Sequence, residues 1–94
     1  MSIGILTLHI HLPGSNSLKA KRGRIQPIIA RLHREFNLSV AEIGLQDKWQ
    51  EAVLACALIS NDHGYTQHAL QNVANFFSQA WPDLDLIDDH IELI

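Results

Sequence analysis

Residues 3–12 have the sequence IGILTLHIHL, and this stretch decides the fold. Its side chains alternate between an apolar set and a mixed set, which is the two-residue period of a β-strand with one buried face. The apolar set is Gly4, Leu6, Leu8, Ile10 and Leu12, and the mixed set is Ile3, Ile5, Thr7, His9 and His11. The pattern predicts a strand that turns one face to a core and leaves the other outside.

A helix is predicted to follow this strand. Residues 13–17, PGSNS, end the alternation, and Ser17 is placed to cap a helix that begins at Leu18. Apolar residues then recur at helical spacing before Asn37 provides a stop; they are Leu18, Ile25, Ile29, Leu32 and Phe36. Gly23 and Pro27 weaken the pattern, because proline lacks the N–H of the helical ladder and crowds the carbonyl four residues earlier. We expect the first half of this helix to be kinked or loosened.

The remaining segments predict three more strands and a second helix. Residues 38–43 and 49–60 have the composition of two strands joined by a turn, and residues 84–93 form the last strand. Asn61 or Asp62 can cap the second helix, which ends before Pro82. Its inward stripe is Ala69, Leu70, Val73, Phe77 and Ala80. The order β-α-β-β-α-β predicts a ferredoxin-like α+β fold, with a four-stranded antiparallel sheet and two helices on one face.

Length and composition are those of one domain in a reducing compartment. The 94 residues, 47% of them hydrophobic, suffice for a single core, so residues 1–94 are expected to form one domain. Cys56 is the only cysteine, which excludes a disulfide within the chain. No apolar run approaches the roughly 20 residues of a membrane span, and no basic leader precedes the first strand. We expect a soluble cytoplasmic protein with no membrane partner.

The net charge of −3 conceals two segments of opposite sign. Six of the seven basic residues lie in the first predicted helix: Lys19, Lys21, Arg22, Arg24, Arg31 and Arg34. The last dozen residues carry five acidic ones: Asp83, Asp85, Asp88, Asp89 and Glu92. A helical wheel places the basic residues outside the apolar stripe, with Arg22 near its edge. Clustered cations of this kind bind nucleic-acid phosphates, although a solvated face partly neutralised by the acidic strand is the simpler interpretation.

Aromatic residues give limited support to nucleic-acid binding. Trp49, in the polar segment QDKWQ at residues 46–50, is the residue best placed to stack on a base or to contact a partner, and it could equally anchor the hairpin. The other large aromatic residues are better explained as core, namely Phe36, Phe76, Phe77 and Trp81.

No arrangement of residues specifies a reaction, and we assign no catalytic residue, cofactor or metal. His9 and His11 share one side of a strand and could supply two metal ligands, but no third ligand stands at a diagnostic spacing, so this question stays open. Residues 60–63, SNDH, combine a hydroxyl, an acid and an imidazole at the start of a helix, where capping is the better explanation. We expect a protein that is not an enzyme.

Several blocks of the sequence resemble the YlxP-like family, a bacterial domain-of-unknown-function family. They are residues 11–13 (HLP), 17–22 (SLKAKR), 36–44 (FNLSVAEIG), 46–50 (QDKWQ) with Ala52, and 60–62 (SND). Ala20 departs from the glutamate usual in the family, and the Gly23 and Pro27 pair is also foreign to it. The resemblance implies a ferredoxin-like fold and, because family genes lie among translation and ribosome-maturation genes, a role associated with RNA or the ribosome.

Two functional hypotheses follow. In the first, a non-enzymatic module binds ribosomal RNA or a ribosome-associated protein through the basic helix and the loop that Ser17 shapes. In the second, the outer face of the sheet, which Ile3, Ile5, Val53, Ala55, Ala57 and Ile59 can populate, forms a homodimer or another protein contact, or senses a small ligand. The sequence leaves the oligomeric state and the partner open.

Overall fold

A computed structural model describes residues 1–94 and contains four strands and two helices. In chain order these are β1 (Ser2–His11), α1 (Leu18–Glu35), β2 (Ser39–Gly44), β3 (Glu51–Ser60), α2 (His63–Ala80) and β4 (Asp85–Leu93). The strands form one antiparallel sheet in the order β2-β3-β1-β4. The predicted ferredoxin-like α+β fold is confirmed.

Strand β1 is the centre of this sheet. It pairs with β3 from Ser2 opposite Ser60 to His11 opposite Glu51, and with β4 on its other side. Its predicted alternation is confirmed, because Leu6, Leu8, Ile10 and Leu12 are fully buried while the intervening residues keep partial exposure. One face of the sheet therefore carries the core, and the other face is open.

Helix α1 buries part of the predicted stripe, Ile25 and Leu32, together with two residues that were not predicted. Its buried residues are Lys21, Ile25, Ile28 and Leu32, whereas Leu18 and Ile29 are only partly buried. The cap is as predicted, since Ser17 Oγ accepts a hydrogen bond from Ala20 N at 2.9 Å. The helix runs without a break through Pro27, and the expected loosening does not interrupt it.

Helix α2 is capped by Asp62 and not by Asn61. The Asp62 carboxylate accepts a hydrogen bond from Tyr65 N at 2.8 Å. The predicted inward stripe is confirmed at Leu70, Val73 and Phe77, all fully buried, while Ala69 and Ala80 are partly buried. Neither helix of the protein is apolar enough over a sufficient length to cross a lipid bilayer.

The two helices cover different halves of the sheet. Helix α1 packs against β2, whereas α2 packs against β1, β3 and β4. Helix α2 approaches β1 closely at Gly4, where a Cβ atom would clash with Thr66 Cγ2 and lie 2.7 Å from Leu70 Cδ1. The basic helix consequently packs on the edge strand β2, and the acidic strand β4 forms the other edge of the sheet.

Candidate functional site

Lys21 is a buried structural residue and not part of an exposed cationic face. Its side chain is 2% exposed; the Nζ atom donates a hydrogen bond to Leu45 O at 2.7 Å and lies 2.9 Å from Glu42 Oε2. Leu45 adopts a positive φ of 55°, and its carbonyl is the point at which the hairpin meets Lys21 of α1. The placement of Lys21 on the outer arc of the helix was therefore wrong, because its ammonium is enclosed between α1 and β2.

Arg24 and Arg31 are held by contacts within the protein. Arg24 Nη1 donates to Pro13 O at 2.7 Å, and its Nη2 lies 3.5 Å from Asp83 Oδ2. The Arg31 guanidinium lies over the rings of Phe76 and Trp81, 5.1 and 5.6 Å from their centroids. Cation–π contacts of this kind orient the guanidinium and reduce its freedom to reach a ligand. Both side chains keep part of their surface exposed, so they lie at the edge of the charged surface and are less free to bind a ligand.

Lys19, Arg22 and Arg34 are exposed and make no ion pair, and we call these three the basic stripe. Arg22 lies on the outside of the helix, which corrects its predicted position near the core edge. At about 1.5 Å per residue, the stripe runs about 22 Å along α1. Glu35, the only acidic residue of the helix, directly follows Arg34 and lies 4.0 Å from Arg31 Nε, so the one carboxylate of α1 stands at the end of the basic stripe.

The acidic strand does not cover the basic stripe. Asp88 and Glu92 of β4 lie opposite His9 and Ile5 of β1, which places their side chains on the open face of the sheet and away from α1. Asp83 is the one acidic residue of this segment that contacts the helix, through Arg24. Asp88 and Glu92 are thus separated from the basic stripe by the thickness of the sheet, whereas Asp89, which stands opposite the buried Leu8, belongs to the helix side at the β4 edge.

Trp49 lies exposed at the β2–β3 hairpin, with 54% of its surface accessible. Two contacts place this hairpin near the start of α1: Lys21 Nζ donates to Leu45 O, and Leu12 N donates to Gln50 O at 2.8 Å. An accessible indole therefore stands at the same end of the molecule as Lys19. The structure leaves Trp49 available for a partner and does not use it as a core anchor.

His9 and His11 diverge toward different carboxylates. His9 Nε2 donates to Glu51 Oε1 at 2.9 Å, and His11 Nδ1 donates to Asp85 Oδ2 at 3.0 Å. No three side chains of the kinds that ligate metals converge anywhere in the structure. Each histidine is satisfied by one acidic neighbour, and sequence spacing could not reveal these partners because both are distant along the chain.

A network of hydroxyl groups at the start of α2 was not predicted. Ser2 Oγ lies 2.8 Å from His63 Nδ1 and donates to Thr66 Oγ1 at 3.0 Å, while Ser60 Oγ lies 2.6 Å from Thr66 Oγ1. Ser2 and Thr66 are buried, so neither hydroxyl can meet a substrate. The network joins β1, β3 and α2, which agrees with capping and packing and not with a hydrolytic triad.

Cys56 is buried in the core face of β3, and this burial raises the pKa of its thiol to about 12. The thiolate is the reactive form of cysteine, so the thiol is inert at neutral pH. We expect labelling of Cys56 by a thiol reagent at pH 8 to proceed only as fast as the protein unfolds. Labelling faster than unfolding, measured in parallel by denaturant jump, would show that the thiol is accessible in the folded state.

Stability at alkaline pH should depend on the same thiol. Because its pKa is raised above the ordinary 9.0, the protonated thiol favours the folded protein. This contribution is complete below pH 9 and is lost as the pH rises toward 12. We expect Cys56→Ala to lose less of its free energy of unfolding across this interval than the unmodified protein, as measured by urea titrations. Equal losses would contradict the pKa shift.

Two comparisons with known proteins agree on the family. Residues 3–91 match the family model described as Protein of unknown function (DUF503). The chain is also 32% identical over 83 residues to the "Uncharacterized protein YlxP" of Bacillus subtilis (strain 168), a match that covers 88% of this chain and 89% of that protein. The YlxP-like resemblance seen in the sequence is confirmed, and the chain belongs to the DUF503 family.

Proposed function

We propose that this protein is a non-enzymatic module that binds the phosphate backbone of RNA, ribosomal RNA in particular, through the outer side of α1. The basic stripe carries the proposal, because Lys19, Arg22 and Arg34 are exposed cations that make no ion pair, and the one carboxylate of α1, Glu35, stands at the end of the helix beside Arg31. An ammonium or guanidinium without an internal partner is free to bind a phosphate, and the binding is favourable because it releases counterions from the nucleic acid.

The arrangement of charge supports one orientation on the nucleic acid. The acidic residues Asp88 and Glu92 lie on the opposite layer of the molecule, where they repel phosphates. Arg24 and Arg31 flank the stripe with their remaining exposed surface, although internal contacts restrict them. Trp49 stands near one end of the stripe and offers a ring on which an unpaired base can stack.

The combined substitution Lys19→Gln, Arg22→Gln and Arg34→Gln tests the proposal. If each residue neutralises one phosphate, the logarithm of affinity should fall with the logarithm of salt concentration with a slope of about −2 to −3. We expect the triple variant to lose most of this slope and at least tenfold in affinity at low salt. Co-sedimentation with ribosomal subunits, and titration of fluorescent ribosomal RNA fragments across a salt series, measure both quantities.

A matched control distinguishes the effect of the basic stripe on RNA binding from the effect of net charge. Ile87→Glu, His90→Glu and Ile94→Glu together change the net charge by the same amount as the triple glutamine variant, and all three positions are exposed on or just beyond β4, at the opposite edge of the sheet from the strand β2 against which α1 packs. This control should bind RNA nearly as tightly as the unmodified protein. An equal loss in both variants would show that only the total charge matters and would contradict a site on α1.

A further inference from the structure

The open face of the sheet has an apolar centre made largely of small side chains. Ala41, Ala55 and Thr7 lie side by side across three strands, and Ser39, Ala57 and Ile5 form the next row. Larger apolar side chains stand at one end, where Ile59 is 68% exposed beside Ile3. The small residues leave the middle of this face lower than the end that carries Ile59 and Ile3, which makes a shallow trough along β3 and β1, and a contiguous apolar surface of this kind is typical of a docking site.

The trough deepens into a cavity at the end of the sheet. Strand β2 begins at Ser39 opposite Ala57, so the last residues of β3 have no neighbour on that side. The gap forms a cavity of about 370 Å³ whose walls are Ile3, Ala57, Leu58 and Ile59 on the sheet and His33 and Asn37 near the end of α1. His33 Nδ1 is already engaged by Leu38 O at 2.8 Å, which fixes the ring at the rim. The cavity has the volume and the largely apolar walls that suit a single large side chain.

The charges around this trough have one sign. Four carboxylates project on the open face, because Glu51, Asp85, Asp88 and Glu92 stand opposite residues of β1 that face outward. No lysine or arginine belongs to any of the four strands. His9 and His11 each engage one of the carboxylates, which leaves Asp88 and Glu92 without an ion pair. A partner that carries cations beside an apolar surface complements this face, whereas RNA would be repelled by it.

We propose that the open sheet face docks a cationic amphipathic helix of another protein, with one large apolar side chain in the cavity. A helix about 10–12 Å across, laid along β1 and β3, covers two strands spaced about 4.8 Å apart. Lysine or arginine residues on its flank then reach Asp88 and Glu92 on β4. A second copy of this chain fits less well, because face-to-face pairing brings two sets of carboxylates together.

The test uses a fluorescent 18-residue amphipathic peptide of leucine and lysine with one terminal tryptophan. We expect it to bind the unmodified protein in a salt-sensitive manner, and a peptide with glutamate in place of lysine to bind at least tenfold more weakly. Asp88→Lys combined with Glu92→Lys should lower the affinity for the lysine peptide by about tenfold or more, since each exposed ion pair is replaced by a repulsion between like charges. Ala57→Arg, which obstructs the trough, should abolish binding.

Two controls distinguish the peptide site on the sheet from the proposed RNA site on α1. The Lys19→Gln, Arg22→Gln and Arg34→Gln variant should bind the lysine peptide unchanged, and circular dichroism checks that every variant is folded. Equal binding of the lysine peptide to the charge-reversed and unmodified proteins would overturn the proposal, as would its failure to bind. A dimer detected by light scattering and broken by Ala57→Arg would also overturn it and would assign this face to a second copy.

Discussion

Replacing Gly4 with valine is expected to lower the free energy of unfolding by about 3 kcal/mol or more, because a side chain at this position overfills the contact between β1 and α2. Even the first added carbon would clash with Thr66 Cγ2 and would lie 2.7 Å from Leu70 Cδ1 and 3.3 Å from Leu93 Cδ2. Thr66 is held by hydroxyl contacts with Ser2 and Ser60, so it cannot withdraw without breaking them. Urea unfolding followed by circular dichroism measures the loss, against the 5–15 kcal/mol typical of a domain.

Gly23→Ala is the matched control for this prediction. Gly23 is exposed in α1, and a Cβ atom there meets nothing within 4 Å. Alanine should therefore raise the free energy of unfolding by about 0.5–1 kcal/mol, the difference in helix propensity between the two residues. If Gly4→Val proved as harmless as Gly23→Ala, the close approach of α2 to β1 would not limit stability.

Local rules explain why much of the fold was predictable. The alternation of residues 3–12 identified β1, and the spacing of Leu70, Val73 and Phe77 identified the buried side of α2. Ser17 could be assigned as a cap because a cap and its helix lie within a few residues of each other. These signals depend only on neighbours in the sequence, and that is the information a single sequence carries most directly.

The buried side of α1 was misjudged because lysine was treated as a surface residue. The buried stripe includes Lys21, which was excluded as a charged residue, and it passes through Ile28, whereas the predicted stripe passed through Leu18 and Ile29. A signal was present in β2, where Glu42 stands opposite the buried Leu54. A carboxylate at an inward position of a strand requires a buried partner, and a basic residue at the edge of the helical stripe is the natural candidate.

The candidate site was predictable as a charge cluster and not as a set of available side chains. The sequence placed six cations on one helix, but it could not show that Arg24 meets Asp83 or that Arg31 meets Phe76 and Trp81. These partners lie about 45 to 60 residues away along the chain and are brought near only by the fold. The availability of a charge is a property of tertiary structure, so the basic stripe could be defined only after the helix was placed on the sheet.

Lys21→Ala is expected to destabilise the protein by about 3–5 kcal/mol, the range found when one partner of a buried ion pair is removed. The Glu42 carboxylate is 19% exposed and would lose its only cation, while Leu45 O would lose a hydrogen-bond donor. The hairpin segment around Leu45 is held in a left-handed conformation against α1, and Lys21 is the contact that fixes it there. Urea unfolding should show the loss as a lower midpoint with an unchanged slope.

The double variant Lys21→Met with Glu42→Leu distinguishes charge burial from packing. Two apolar side chains of similar size remove both desolvated charges, so most of the stability lost in Lys21→Ala should return. Lys21→Met alone should stay destabilised, because Glu42 remains without its cation. A single Lys21→Met variant as stable as the unmodified protein would show that the carboxylate does not need the ion pair. Both Lys21→Met variants should keep their affinity for RNA under conditions where they are folded, since Lys21 lies beneath the surface that carries the basic stripe.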